Sequence, residues 1–184
     1  MSPVRDDVPQ TSDGCLRQPV SNGVKIGVIS DTHIPGKSDH LPRAILDDFR
    51  SMDMVVHAGD MVGLEVIAEL EKACPKVVGV SGNMDDAAVR EKYPVKQVLN
   101  IGGFKIGIMH GWGPPLNLID ILKNAFKEDN CDVIIFGHSH EPVNELIGKT
   151  LFFNPGSATD KAAPYNSYGI IEVNDKINAR IIKI

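Results

Sequence analysis

The sequence predicts a single domain of the α/β class, with two packed mixed β-sheets flanked by helices. Two observations support this fold. In the first part of the chain, short apolar runs typical of buried strands alternate with helical patterns. After about residue 140 the helical patterns stop and strand pairs follow. Strands in this order can bury their apolar faces as two stacked sheets with helices outside, and 184 residues suit one domain with its own core.

The elements follow in order along the chain. Five apolar runs predict strands, at residues 24–30, 54–58, 76–80, 105–109 and 132–136. Three intervening segments have helical periodicity, at about 41–52, 63–74 and 116–129. In the second of these helices, Leu64, Ile67 and Ala68 are expected to face the core. Residues 143–153 and 168–184 then predict two antiparallel strand pairs.

Residues 1–23 precede the first apolar run and predict a flexible tail, because prolines and glycines are frequent there and no periodicity is present. The domain is then expected over residues 24–184. The tail could be a partner-binding arm, but a dispensable extension is the preferred interpretation.

Composition excludes several classes of protein. The net charge of −5 and the lack of a Lys- or Arg-rich run argue against a broad nucleic-acid surface. No apolar stretch is long enough to span a membrane, and the N-terminus lacks a signal-peptide core, so a cytoplasmic location is expected. Cys15, Cys74 and Cys131 are odd in number and widely spaced, which argues against disulfides and a cysteine zinc site. The latter two are expected to be buried thiols.

Side chains that can bind metals follow each of the five predicted strands. In chain order they are Asp31, His33, Asp60, Asn83, Asp85, His110, His138 and His140. Because open α/β sheets place ligands at the carboxyl ends of their strands, these side chains are expected to meet. Glycines at positions 59, 82, 111 and 137 allow the backbone to approach the site closely. Each fragment alone is ordinary turn chemistry; the ordered set predicts a metal site.

This ordered set resembles the calcineurin-like metallophosphoesterase family. The motifs that carry the resemblance are Asp31-x-His33, Gly59-Asp60, Gly82-Asn83-x-Asp85, His110-Gly111 and Gly137-His138-x-His140. The resemblance covers about residues 24–184 and implies a four-layer αββα sandwich. The short length, the context of residues 57–60 and the segment 154–157 resemble the small stand-alone phosphodiesterase branch.

The resemblance implies two divalent metal ions. One would be held by Asp31, His33, Asp60 and His140, and the other by Asp60, Asn83, His110 and His138, with Asp60 as the bridge. Mixed nitrogen and oxygen ligands suit manganese, iron, zinc or nickel better than magnesium or calcium, and manganese is the first choice. Two ions about 3.5–4 Å apart can activate a bridging hydroxide at neutral pH for in-line attack on a phosphodiester.

The chain departs from the broader family at Met84, where many members have a histidine that assists the leaving group. A thioether cannot donate a proton. Members of the small branch commonly lack this histidine as well, so the difference favours that branch. It also predicts weak cleavage of esters with poor leaving groups, unless a water, His40 or Asp85 substitutes.

Other residues near the motifs have expected roles. Asp85 is expected to orient a ligand or a histidine ring. Trp112 can stack on an aromatic group of the substrate or pack at the rim. Lys37 or His40 can contact the substrate phosphate, and His57 is expected to be buried and hydrogen-bonded. The segment 154–157 is either a turn beside the site or a plain structural turn.

Three alternatives compete with a phosphodiesterase acting on a small-molecule diester. The first is a non-catalytic interaction protein on the same fold, like the retromer subunit that shares it. The second is a phosphomonoesterase, against which Met84 and the lack of an evident arginine clamp argue. The third, an amidohydrolase barrel, needs about 250 residues. The sequence leaves the oligomeric state and the physiological substrate open.

Overall fold

Two five-stranded mixed β-sheets form the centre of the protein, in a computed structural model that describes residues 23–163 and 165–184. The first sheet has the strand order β10-β9-β1-β2-β3. Its strands are β1 (Val24–Ile29), β2 (Met54–His57), β3 (Val77–Gly79), β9 (Ser167–Val173) and β10 (Ile177–Lys183). Strand β1 pairs in parallel with β2 and antiparallel with β9, so Ile26 lies opposite both Met54 and Ile171.

The second sheet has the order β4-β5-β6-β8-β7. Its strands are β4 (Lys96–Ile101), β5 (Phe104–Met109), β6 (Val133–Ile135), β7 (Val143–Ile147) and β8 (Thr150–Asn154). Strand β6 is parallel to both β5 and β8, whereas β4 and β7 pair antiparallel at the two edges. The carboxyl ends of β5, β6 and β8 therefore lie at the same end of this sheet.

Helices cover the outer faces of the two sheets. They are α1 (Arg43–Phe49), α2 (Glu65–Ala73), α3 (Ala87–Lys92) and α4 (Leu118–Ala125), the last preceded by a 3₁₀ turn (Pro115–Asn117). Side chains of α1, α2 and α3 share a buried cluster with the first sheet, and those of α4 share another with the second sheet. A third cluster, with Val28 and Val56 from one sheet and Ile106 and Ile135 from the other, fills the space between the sheets. The four-layer fold is thus confirmed.

The prediction of secondary structure from the sequence was wrong or incomplete for some elements. Helix α3 and strand β4 were not predicted, and α4 ends at Ala125, before the expected end. In α2, Val66 and Leu70 are buried with Ile67, whereas Ala68 is exposed, because the core-facing stripe is shifted by a fraction of a turn.

Several smaller expectations fall on the described residues. Cys74 and Cys131 are buried free thiols, as expected. No helix in the described part of the chain is long and apolar enough to cross a membrane. The expected flexible tail at 1–23 lies outside the described residues, apart from Gly23.

Candidate metal centre

The segments that leave β1 and β2 run side by side beyond the ends of the strands. The backbone amide of Asp31 donates to the carbonyl of Gly59 (3.1 Å), and the amide of His33 donates to the carbonyl of Asp60 (3.0 Å). An isolated parallel bridge between Ile34 and Val62 extends this pairing. These bonds hold the first three predicted ligands in one place.

Backbone strain is concentrated at the candidate ligands. Of the seven non-glycine residues with left-handed φ in the described ranges, five are predicted ligands: Asp31, His33, Asp60, His138 and His140. The left-handed region is unfavourable for residues with a Cβ atom, although aspartate and histidine tolerate it better than most. Such strain clusters at functional sites, where the surrounding structure enforces it. It therefore supports a functional role for these residues.

One group of possible ligands consists of Asp31, His33 and His140, whose ligand atoms lie within 4.8 Å of one another. Nε2 of His140 lies 3.3 Å from Oδ1 of Asp31 and 3.2 Å from Nε2 of His33. Asp31 is completely buried. Two imidazole nitrogens and a carboxylate oxygen at these distances can hold one cation between them.

A second group consists of Asp31, Asp60 and His110, all buried and within the same 4.8 Å limit. Nε2 of His110 lies 3.2 Å from Oδ2 of Asp60 and 3.8 Å from Oδ1 of Asp31. Oδ2 of Asp60 also lies 3.9 Å from Nε2 of His33. Asp31 thus belongs to both groups, and one oxygen of Asp60 faces a histidine of each group.

Hydrogen bonds at Nδ1 orient two of these histidine rings. Nδ1 of His110 lies 2.8 Å from the carbonyl oxygen of Ala58, and Nδ1 of His140 lies 2.6 Å from Oδ2 of Asp160. Because both partners are acceptors, Nδ1 carries the proton in each ring, and in the neutral ring Nε2 has the free lone pair. Nε2 of His110 is buried and forms no hydrogen bond within the described residues. This donor set fits a divalent metal ion, to which the Nε2 lone pairs would be donated.

The protonation of the free site reflects its two buried carboxylates. The hydrogen bond to Asp31 raises the pKa of His140 to about 9, against the effect of burial. Burial opposes a charge on His110, but the contact with Asp60 raises its pKa overall. Burial lowers the pKa of His33. Protons on His110 and His140 compensate the negative charges here, and a bound cation would replace them.

Asn83 and His138 lie beside the two groups rather than within them. Nδ1 of His138 contacts Oδ1 of Asn83 at 3.1 Å, and its Nε2 contacts the carbonyl oxygen of Gly113 at 2.8 Å. The His138 ring meets the His110 ring edge to face, with centroids 5.4 Å apart. Their assignment as metal ligands therefore stays a prediction, while their place next to the cluster is clear.

Asp85 contacts backbone rather than a histidine ring. Its two carboxylate oxygens accept hydrogen bonds from the amides of Val62 and Gly82, each at 2.6 Å. These amides belong to the segments after β2 and β3, which carry Asp60 and Asn83. Asp85 therefore fixes the segments on which candidate ligands lie.

Asp160 is a site residue that the sequence analysis missed. Besides its hydrogen bond to His140, it forms an ion pair with Lys37, with Nζ 3.2 Å from Oδ1. The hydrogen bonds from Ala162, His140 and Lys37 outweigh burial and lower the pKa of Asp160 to about 2. Its position shortly after β8 could have identified Asp160 as a site residue. Strand β8 is parallel to β6, so both strands end at the same edge of the sheet, where the His-x-His motif lies.

The segment 154–157 is a turn beside the site. The side chain of Asn154 donates to the carbonyl of Gly137 (2.9 Å), and the hydroxyl of Ser157 donates to the carbonyl of Asp31 (2.7 Å). The segment thereby fixes the backbone of two ligand-bearing loops.

Glycines permit close approach at the predicted positions. A Cβ atom at Gly137 would lie 2.0 Å from Oγ of Ser30 and 2.6 Å from Oδ2 of Asp31, and one at Gly82 would lie 2.2 Å from Oδ1 of Asp60. Any larger residue would displace the buried carboxylates.

Four further residues near the motifs differ in their burial and contacts. His57 is buried and its Nε2 lies 2.9 Å from the Thr32 hydroxyl, as expected, and burial lowers its pKa to about 3. The ring of the exposed His40 contacts Glu69 at 2.6 Å. The side chain of Met84 is 58% exposed, and that of Trp112 is 50% exposed.

The chain is similar to known proteins in sequence and in fold. The model of the calcineurin-like phosphoesterase superfamily domain matches residues 24–176. A probable metallophosphoesterase of Methanocaldococcus jannaschii is 38% identical over 164 residues, covering 86% of this chain and 81% of the relative. A phosphodiesterase of the same organism is 30% identical, covering 86% of this chain and 99% of the relative.

Among solved structures, Vps29 of Entamoeba histolytica complexed with zinc is similar, with a TM-score of 0.70 and 26% identity. The similarity covers 87% of this chain and 99% of Vps29. The family model spans nearly the whole described domain, and it includes every predicted ligand. The chain therefore belongs to the calcineurin-like phosphoesterase superfamily.

Proposed function

We propose that this protein is a metal-dependent phosphodiesterase that binds two divalent ions and hydrolyses a small phosphodiester. The observation that carries the proposal is the pair of overlapping Asp/His groups joined through Asp31. Two oriented histidines with available Nε2 atoms and two buried carboxylates are a donor set for divalent metals. The similarity to a phosphodiesterase over 86% of the chain supports the same reaction.

The proposed ligands are Asp31, His33, Asp60 and His140 for one ion, and Asp60, Asn83, His110 and His138 for the other. When bound, two such ions supply positive charge for a phosphate group and lower the pKa of water. Asp160 and Ala58 hold the His140 and His110 rings through their Nδ1 protons. Manganese remains the first choice, and the zinc complex of Vps29 supports zinc as a second.

A non-catalytic role in protein assembly is the main competing function, since Vps29, a vacuolar sorting protein, shares the fold. Against it, a residue able to bind metal occupies every ligand position of this chain. One observation favours the monoesterase alternative: an arginine, Arg90 on α3, lies near the site and donates to the carbonyl of Asn83 at 2.8 Å. One arginine bound to backbone is a weaker phosphate clamp than a free bidentate guanidinium, so the diesterase is preferred.

The test combines metal content with turnover. Protein loaded with excess Mn²⁺ is expected to retain about two ions per chain in elemental analysis and to hydrolyse bis(p-nitrophenyl) phosphate faster than p-nitrophenyl phosphate. Asp60→Asn is expected to lower the affinity for both ions, because one Asp60 oxygen faces a histidine of each group.

Asp53→Asn is a matched control, since Asp53 accepts a hydrogen bond from the exposed start of β1 rather than at the site. A stoichiometry that stays at one, or an Asp60→Asn variant with two tight ions and full activity, contradicts the two-metal assignment. Bound metal without turnover of any diester would favour the assembly function instead.

A further inference from the structure

Apolar side chains are exposed beside the metal centre. The large apolar side chains that are exposed in the described ranges are Met84, Val95, Trp112, Leu116, Leu146 and Ile184. Met84 lies in the segment after β3, and Trp112 and Leu116 lie in the segment after β5. Half of this exposed apolar set therefore belongs to two segments that carry predicted metal ligands.

Hydrogen bonds bring these two segments to the same histidine. The amide of Met84 donates to Oδ1 of Asp60 at 2.7 Å, and the preceding Asn83 contacts Nδ1 of His138. On the other side, Nε2 of His138 contacts the carbonyl oxygen of Gly113, next to Trp112. His138 thus lies between the segment with Met84 and the segment with Trp112.

The conformation around Trp112 keeps its side chain out of the core. Gly111 and Gly113 have φ values of 93° and 81°, which only glycine adopts readily, so the chain turns on both sides of the tryptophan. Trp112 is absent from all three described hydrophobic clusters, although Leu118, which lies against the preceding Gly111, is buried in one. An indole left half exposed next to a charged site contributes little to stability and is typical of a binding surface.

We propose that Trp112, with Met84 across His138, is the surface on which an aromatic ring of the phosphodiester stacks while its phosphate lies at the metal centre. This inference rests on the proposed function and names its substrate class: phosphodiesters that carry a planar aromatic group. Stacking on an aromatic side chain is worth roughly a 5- to 150-fold change in affinity per ring. The Met84 thioether can add a contact at the ring edge.

Two diesters of equal charge test the inference by inhibition. Diphenyl phosphate and dibutyl phosphate carry one negative charge each but differ in aromaticity. In the Mn²⁺-loaded protein, diphenyl phosphate is expected to inhibit hydrolysis of bis(p-nitrophenyl) phosphate at roughly 5- to 150-fold lower concentration than dibutyl phosphate does. Trp112→Ala should remove this preference and Trp112→Phe should retain most of it. Leu146→Ala, which removes an exposed apolar side chain from β7, should leave it unchanged.

Binding can also be measured without turnover. Trp112 is the only tryptophan of the chain, so its fluorescence reports a ring bound at this position. Diphenyl phosphate is expected to change the emission of the metal-loaded protein, and dibutyl phosphate at equal saturation is expected to change it much less. An emission unaffected by diphenyl phosphate would overturn the inference.

The failure of this inference differs from failure of the proposed function. If diesters are hydrolysed but both inhibitors bind equally, or Trp112→Ala keeps the preference, the stacking surface is wrong and the diesterase stands. If no diester is hydrolysed, the proposed function fails, and the fluorescence titration alone decides whether an aromatic phosphate ester binds at Trp112.

Discussion

The carboxylate of Asp160 joins two side chains that are far apart in the sequence, His140 and Lys37. Its hydrogen bond fixes which nitrogen of His140 faces Asp31 and His33. Outer carboxylates of this kind typically change metal affinity by roughly 10- to 100-fold when they are removed. Asp160→Asn is therefore expected to raise the Kd of the first ion by about that factor, measured by equilibrium dialysis against Mn²⁺.

The matched control for this change is Asp175→Asn, which removes a carboxylate from the exposed turn between β9 and β10. It should leave the Kd unchanged. An Asp160→Asn variant that binds Mn²⁺ as the parent protein does would show that His140 keeps its orientation without this partner.

The resemblance to the broader family implies that Met84 stands where many members carry a histidine that assists the leaving group. General-acid assistance is typically worth 10²–10⁴-fold, and a nitrophenolate needs it far less than an alkoxide does. Met84→His is therefore expected to raise the turnover of alkyl esters more than that of aryl esters. The comparison requires kcat for both classes in the metal-loaded variant, with metal content checked.

Because Met84 is 58% exposed, the new imidazole can be accommodated without overpacking. Val95→His places the same group at a position that is 61% exposed and lies outside the ligand-bearing segments. A Met84→His variant that keeps its metal but accelerates neither class would show that residue 84 is not at the leaving-group position.

The sequence predicted which side chains meet at the strand ends better than it predicted their hydrogen-bond partners. Asp31, His33 and His140 stand in short motifs after apolar strands, and strand ends meet at one edge by geometry alone. Asp160 has no such motif, because its role depends on the path of a loop after β8. The hydrogen bonds of Asp85 to two backbone amides were not predictable either, because every residue except proline has a backbone amide and the sequence does not show which amides Asp85 contacts.

At the level of elements, Tyr168 connects β9 to α1 through its hydroxyl, which donates to Asp48, and its ring meets Phe49 edge to face. Tyr168→Phe is expected to lower the free energy of unfolding by about 1 kcal/mol at neutral pH. Chemical denaturation measures this loss. Tyr165→Phe, which removes a hydroxyl from a ring beside Lys183, should change stability much less.

The same hydroxyl predicts a pH dependence. Burial and the neighbouring Asp48 raise the pKa of Tyr168 above the usual value of 10. Above pH 10 the unfolded chain releases this proton while the folded protein retains it, so the contribution of Tyr168 to stability falls as pH rises. The stability difference between parent and Tyr168→Phe should therefore shrink above pH 10. A constant difference would mean that the hydroxyl ionises normally.

Helices and strands with a clear pattern of apolar residues were predictable from the sequence, whereas short or half-exposed ones were not. Strand β6, and strand β1 from Ile26 onward, are buried on both faces and are predicted by their short apolar runs. Helix α3 has six residues with Val89 as its buried side chain, and β4 is an edge strand with mostly half-buried residues. Neither contains enough apolar residues to show a period, so tertiary pairing defines them.

At the scale of the molecule, the two sheets cooperate because the site needs both. The first sheet supplies Asp31, His33 and Asp60 from the ends of β1 and β2, and the second supplies His110 and His140 from the segments after β5 and β6. The apolar layer between the sheets holds these two sets of candidate ligands in register. The alternation of strands and helices predicted this architecture, but the order of strands within each sheet required the structure.

Residues 1–23 are expected to be dispensable for fold and turnover. The family model begins at residue 24, and the described hydrophobic clusters draw on residues from Val24 onward. Removing these 23 residues should shift the Tm by less than about 2 °C, because the described hydrophobic clusters keep every residue that they contain. It should also leave kcat/KM for bis(p-nitrophenyl) phosphate unchanged. A larger fall in Tm would show that the tail packs on the domain, whereas a change in kcat/KM at constant Tm would place it at the site.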